Sequence, residues 1–182
     1  MSIPSNTQIK ILLLGDVAVG KTSLCRRYIH NNFNKFEPMT HGGERQTKQL
    51  MINGNTIDLA IWDIAGARRY SEIRTIYYKG VHGMILVFDV TRRNTFETLP
   101  DWLEEFLKNN DDGAVVPFVL VGNKIEIRDN YTDSVDAKQA EKYAQLLSEW
   151  AGFEVPYIEA SAKTGENVDK IFDTLLRVMG II

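Results

Sequence analysis

The chain has 182 residues, 44% hydrophobic and 25% charged, the profile of one ordinary globular domain. At this length a single core buries about 70% of the surface that the unfolded chain exposes, so no staples are needed. Its 21 basic and 24 acidic residues leave −3, which excludes a nucleic-acid binder's basic excess, and the lone Cys25 excludes a disulfide framework and a four-cysteine zinc site.

Residues 1–8 are polar, with no basic region leading into an apolar stretch, so no signal peptide is read and a single domain is expected over 9–180. Ile9–Leu14 is a continuous apolar strand closed by Gly15, and Leu24, Cys25, Tyr28 and Ile29 fall at helical spacing within Thr22–Ile29. Asn53–Gly54 sits between the runs Thr47–Ile52 and Thr56–Ile64, a strong hairpin signal. Gly83–Phe88 and Val115–Val121 are again solid apolar strands, with a helical stripe of Phe96, Leu99, Leu103 and Phe106 between them. A second stripe, Ala140, Tyr143, Ala144 and Leu147, is capped by Asp133 or Ser134 and ended by Gly152. Val155–Ala160 is the last strand. Val168, Ile171, Phe172, Leu175 and Met179 form the last helix, with Asn167 as its cap. No apolar run approaches the ~20 residues of a membrane span. Apolar strands alternating with amphipathic helices predict an α/β fold with a mainly parallel sheet covered on both faces. Ligands in such sheets sit beyond the carboxyl ends of the strands.

Directly past the first strand the chain reads Gly15-Asp16-Val17-Ala18-Val19-Gly20-Lys21-Thr22, the G-x-x-x-x-G-K-[ST] pattern in a strand–loop–helix context. The backbone N–H groups of Ala18, Val19 and Gly20, with Lys21, Thr22 and Ser23 opening the helix, suit phosphate oxygens. The Thr22 hydroxyl suits Mg²⁺, which shares its octahedron with phosphates and waters. Three more segments fall at strand ends: Asp63-Ile64-Ala65-Gly66, Asn123-Lys124-Ile125-Glu126 and Ser161-Ala162-Lys163. In the first, Asp63 can hold Mg²⁺ through water and the Gly66 N–H can meet a γ-phosphate.

With these motifs in this order the chain resembles small GTPases of the Ras superfamily, and most closely the Rab family, from about Ile9 to Met179. Ile61-Trp62-Asp63, Tyr77-Tyr78-Lys79-Gly80, Leu86-Val87-Phe88-Asp89-Val90-Thr91 and Ser161-Ala162-Lys163-Thr164-Gly165-Glu166-Asn167-Val168 carry the Rab likeness. The resemblance implies a Ras-like G domain of six strands, one antiparallel, and five helices, switching between GTP-bound and GDP-bound shapes in vesicle trafficking. It places Thr40, nineteen residues past Lys21, on Mg²⁺ and the γ-phosphate. It packs Phe33 against the guanine edge, bonds Asn123 to the base, lays Lys124 along the ring and reads the guanine oxygen with the Ala162 N–H. Ser161 and Lys163 complete the base loop. Effectors, exchange factors and activating proteins are implied around Thr40, Arg45, Trp62, Arg68 and Tyr77. A cytoplasmic monomer, peripheral to endomembranes, is implied as well.

Four residues depart from the family pattern. Val17 stands where a small residue leaves room beside the γ-phosphate. Ala67 stands where a glutamine orients the attacking water. Glu126 replaces the aspartate that accepts from the guanine N1 and N2 groups. Arg45 replaces a phenylalanine that joins Trp62 and Tyr77 in an aromatic effector patch. Arg68-Arg69 reads as a solvated switch surface or as an arginine finger in cis, while His30, His41 and His82 are scattered. Cys25 reads as a small core residue, and Asp101, Glu104 and Glu105 as a solvated helix face. The closing residues Arg177–Ile182 contain no cysteine for a lipid anchor. Three functions remain open: a slow Rab-like GTPase, a GTP-locked scaffold, and another phosphate-loop enzyme such as a nucleotide kinase, which would want an arginine-rich lid.

Overall fold

Strands that are apolar on both faces must be covered on both, and among the described residues six α-helices accompany a six-stranded sheet, with α-helices packed on each of its faces. The computed structural model describes residues 7–182, so residues 1–6 of the expected polar segment lie outside the described residues. The strands are β1 (Thr7–Leu14), β2 (Gly43–Ile52), β3 (Asn55–Ile64), β4 (Gly83–Asp89), β5 (Phe118–Asn123) and β6 (Tyr157–Ala160). The helices are α1 (Lys21–His30), α2 (Ser71–Arg74), α3 (Arg93–Glu97), α4 (Leu99–Asn109), α5 (Ala137–Ala151) and α6 (Val168–Val178). The sheet order is β2-β3-β1-β4-β5-β6, with β2 antiparallel to β3 and every other pairing parallel.

Side-chain alternation divides the core. Ile9, Ile11 and Leu13 of β1 and Ile85 and Val87 of β4 face α1 and α6, whereas Leu12, Leu14, Met84, Leu86 and Phe88 face α4 and α5. Cys25 is buried in the first cluster, as expected, and burial pushes its thiol far up, so it packs as a small apolar group. In the same cluster Tyr28 and Phe172 stack with ring centroids 3.7 Å apart. The five parallel strands all end at one edge. Gly15, Ala65, Val90, Lys124 and Ser161 leave the sheet there side by side.

The local differences from the sequence reading have identifiable causes. β1 includes Thr7 and Gln8, ahead of the expected Ile9, because both pair with Ile57 and Asp58 of β3. β5 begins at Phe118 rather than Val115, and β6 at Tyr157 rather than Val155, because Pro117 and Pro156 have no N–H for a ladder. The two prolines still contribute carbonyls, accepting from Met84 and Leu120. The stripe over Phe96–Phe106 is two helices, giving six where five were implied: Pro100 has no N–H to offer the Phe96 carbonyl, and the helix re-forms on Thr98. Asp136, not Asp133 or Ser134, caps α5, its Oδ1 accepting the Gln139 N–H at 2.8 Å. Arg93 has taken the Asp133 carboxylate and the Ser134 carbonyl, and the Val135 N–H donates to Val90. Asn167 does precede α6, but in a left-handed turn with its amide donating to the Glu159 carbonyl. Asn53 and Gly54 both adopt the left-handed backbone that a tight hairpin requires.

Phe172→Ala should cost about 3–5 kcal/mol of unfolding free energy, because it empties a buried stack, against about 1 kcal/mol for Asp136→Ala, which removes one cap. Urea unfolding at pH 7 measures both, and a Phe172→Ala loss no larger than that of Asp136→Ala contradicts this packing.

Candidate functional site

A cleft of about 700 Å³ opens at the shared strand edge. Of the expected site residues, Ala18, Gly20, Lys21, Thr22, Ser23, Phe33, Thr40, Gly66, Asn123, Lys124, Glu126, Ala162 and Lys163 line it, and so does Val17. Asp63 stands just behind, bonded to Thr22 and Thr40. Val19 is sunk in the core. Ser161 is fully buried and ties its own turn, its hydroxyl accepting the Thr164 N–H.

At the phosphate-loop end Lys21 is nearly buried and donates to the Gly15 and Asp16 carbonyls at 2.7 and 2.9 Å. Burial pushes its ammonium down to about 8, with Asp63 and Asp16 opposing the shift. Thr22 Oγ1 lies 2.5 Å from Asp63 Oδ2 and 3.2 Å from Thr40 Oγ1, and Thr40 Oγ1 lies 3.2 Å from the same Asp63 oxygen. Burial pushes the Asp63 carboxyl up, against Lys21 and the two threonines, and its Oδ1 is buried without a partner. Gly66 presses on the loop: a Cβ there would lie 2.5 Å from the backbone of Asp16 and Val17.

At the ends of β5 and β6 Asn123 braces two loops, its Nδ2 donating to the Val19 carbonyl and its Oδ1 accepting the Ala162 N–H. The contact is so close that a Cβ on Gly20, which has φ 102°, would fall 2.1 Å from the Asn123 nitrogen. Lys124 Nζ bridges the Ala18 carbonyl at 2.7 Å and Asp89 Oδ2 at 2.6 Å. Arg27 of α1 holds the Ala162 and Lys163 carbonyls. Glu126 Oε2 is buried with no partner.

Residues 10–180 match the Ras family. The chain belongs to the Ras family. It is 39% identical over 174 residues to Ras-related protein Rab7 of Glycine max, across 94% of this chain and 82% of that one. Ras-related protein Rab7 of Drosophila melanogaster is 34% identical over 179 residues, across 97% and 83%. Ras-related protein RABG3f of Arabidopsis thaliana is 35% identical over 173 residues, across 94% and 82%. This Ras-family chain is therefore a GTP-binding switch of the Rab type and a GTPase, and the nucleotide-kinase alternative is set aside.

Among the departures, Val17 is 39% exposed on the cleft and Ala67 presents only a methyl group. Arg45 pairs in register with Trp62, whose ring lies 5.2 Å from that of Tyr77, so the aromatic pair persists beside a charge. Arg68 is a solvated side chain, 3.8 Å from Asp101. The segments flanking Thr40 and Ala67 also touch, with His41 Nδ1 2.6 Å from the Tyr70 hydroxyl.

One cluster escaped the sequence reading. Arg74 is 3% exposed and donates to the carbonyls of Ala65 and Ala67, on either side of Gly66. Its fork meets Glu105 at 2.5 and 2.6 Å, the Tyr78 hydroxyl donates to the same carboxylate, and the Trp102 ring lies 4.3 Å from the guanidinium. Trp102 and Thr98 in turn donate to the two carboxylate oxygens of Asp16 in the phosphate loop. Glu105 is thus half-buried in an ion pair, while Asp101 and Glu104 are exposed as expected. No sequence motif marks this pair, because its members lie 31 residues apart.

Burial would raise the Glu105 carboxyl, but the hydrogen bonds from Arg74 and Tyr78 outweigh it and hold the group below its ordinary value. Its contribution to stability is therefore complete above the unfolded value of about 4.3 and fades as pH falls through the lower folded value. Glu105→Gln leaves the Arg74 charge buried and unpaired, and should cost about 3 kcal/mol at pH 7. That loss should shrink toward pH 3 in urea unfolding, and a pH-independent difference contradicts the assignment.

Proposed function

We propose that the cleft takes GTP or GDP with Mg²⁺, with the phosphates on the Gly15–Thr22 loop and the guanine at the ends of β5 and β6. The observation that carries this reading is the convergence of Thr22, Thr40 and Asp63 oxygens beside a buried lysine, with Asp63 Oδ1 left unpaired. Oxygen donors from three separate elements suit a hard divalent cation, and a positive charge there would reverse the upward push on Asp63. Mg²⁺, when bound, would draw charge from the β- and γ-phosphate oxygens. Thr22 and Thr40 would ligate it directly and Asp63 through water. Lys21 would give its third N–H to the phosphates while keeping the Gly15 and Asp16 carbonyls, and the Gly66 N–H would meet the terminal phosphate.

At the base end, the unpaired Glu126 Oε2 is an acceptor suited to the guanine N1 and N2 donors, with Phe33 at the edge, Lys124 along the ring and the Ala162 N–H, which now meets Asn123 Oδ1, turning to the guanine oxygen. Asn123 would bond the base with the amide capacity left over from bracing Val19. Ser23 and Lys163 would flank the two ends.

Hydrolysis here is slow. Phosphoryl transfer depends on positioning and charge stabilisation, and Ala67 has no polar group to align a water. Val17 adds branched bulk where an activating side chain would enter. The GTP-bound form is accordingly long-lived. It presents Thr40, Arg45, Trp62, Arg68 and Tyr77 to effector, exchange-factor and activating proteins at endomembranes in vesicle trafficking. Arg45 disfavours partners that would bury an apolar group against Trp62. Among the described residues no helix is long and apolar enough to cross a membrane.

The test is single-turnover hydrolysis on purified protein whose bound nucleotide has been identified by chromatography. Val17→Gly with Ala67→Gln should raise the rate roughly 10–100-fold, a barrier change of about 1.5–3 kcal/mol. A wild-type rate equal to that of the double variant overturns the catalytic part. Glu126→Asp, by restoring the shorter carboxylate, should tighten GDP binding about 10-fold or more in a displacement titration. Looser binding counts against the base contact.

A further inference from the structure

A backbone loop holds an anion with its N–H groups only while its carbonyls point elsewhere, and each turned-out carbonyl wants a donor. Every carbonyl from Gly15 to Gly20 has one. Lys21 takes Gly15 and Asp16, Lys124 takes Ala18, Asn123 takes Val19, and the Leu24 N–H takes Gly20. The donor for Val17 comes from outside every motif: Arg92 Nη2, at 2.8 Å.

We infer that Arg92 is a positioning residue of the nucleotide site, fixing the Val17 peptide through a clamp shared with Asp89 and Lys124; the inference rests on the nucleotide reading given above. Arg92 Nε lies 3.0 Å from Asp89 Oδ2, the same oxygen that Lys124 Nζ meets at 2.6 Å. Two cations thus share one buried carboxylate and hold two successive carbonyls of the phosphate loop. Thr91 fills the other Asp89 oxygen with its N–H and hydroxyl, so the carboxylate is fully satisfied. Burial would raise the Asp89 carboxyl, but Lys124 and Thr91 outweigh it and hold it ionised.

The backbone of Arg92 is itself fixed. Its N–H donates to the Asp89 carbonyl, and its own carbonyl accepts from the Thr95 N–H and hydroxyl. Asp16 is held by Thr98 and Trp102, and Gly66 lies against the Asp16–Val17 backbone. Arg92 holds the next peptide, through the Val17 carbonyl, at the residue where the chain departs from the family. The guanidinium is one-third exposed, so water replaces part of what its loss removes and the fold survives.

The experiment loads the full chain with fluorescent GDP or with a fluorescent, non-hydrolysable GTP analogue in excess Mg²⁺ and measures release. Arg92→Ala should speed release of the GTP analogue about 5-fold, and of GDP less. It should also shift the ³¹P resonances of the bound nucleotide. Arg92→Lys, which keeps one donor within reach of Val17, should recover much of the loss. Release rates and ³¹P spectra equal to wild type in Arg92→Ala overturn the inference. So does equal acceleration by Arg92→Ala and Arg92→Lys, which marks a surface effect without the clamp. Lys21→Ala separates the two levels: undiminished nucleotide retention in that variant overturns the site itself, whereas loss of nucleotide there with an unaffected Arg92→Ala overturns only the clamp.

Discussion

The whole arrangement depends on the orientation of six consecutive peptide carbonyls. A loop between a strand and a helix gains a positive inner surface only if its oxygens are held outward, and fixed donors hold them there more firmly than exchanging water does. Here the donors come from the loop's own lysine, the first turn of α1, the end of β5 and the turn after β4. Those segments are neighbours only because β1 lies between β3 and β4 and β5 is next in the sheet. Strand order is therefore a condition for the site as well as for the core.

The same economy links the base end to the phosphate end. Asn123 and Lys124, which we propose hold the base, each also give a hydrogen bond to the phosphate loop. Arg27 extends the link from α1 to the Ala162 loop. Loss of any one of these bonds would be felt at both ends, because a satisfied polar network in a low-dielectric interior resists partial disruption. Gly20 shows how little slack there is, since the position that a side chain would need is already occupied by Asn123.

A second network fixes the segment around Gly66. Its weight falls on a buried arginine, which costs desolvation and is tolerated because a fork-to-fork carboxylate, a tyrosine hydroxyl and an indole face surround it. Through Trp102 this cluster reaches the phosphate loop at Asp16, whereas Asn123 meets the loop at Val19. The segment carrying Ala67 is thus held by its backbone carbonyls. Placement of the Gly66 amide does not need the side chain that this chain lacks at position 67.

The α/β class, the hairpin at Asn53–Gly54, the phosphate loop and the three strand-end segments are legible in the order of amino acids alone. These are local patterns: solid apolar runs, helical stripes and glycine spacing act over a few residues, so they can be read in a few residues. Boundaries were less legible. Prolines 117 and 156 shortened two strands, and Arg93 took the Asp133 carboxylate and the Ser134 carbonyl near the start of α5. Folding alone sets Glu105 against a buried arginine, places two cations on Asp89, and brings Arg92 to the Val17 carbonyl 75 residues away. Such contacts leave no periodicity in the chain. They exist because the packed sheet brings distant loops to one edge, where burial makes every unpaired charge and carbonyl costly.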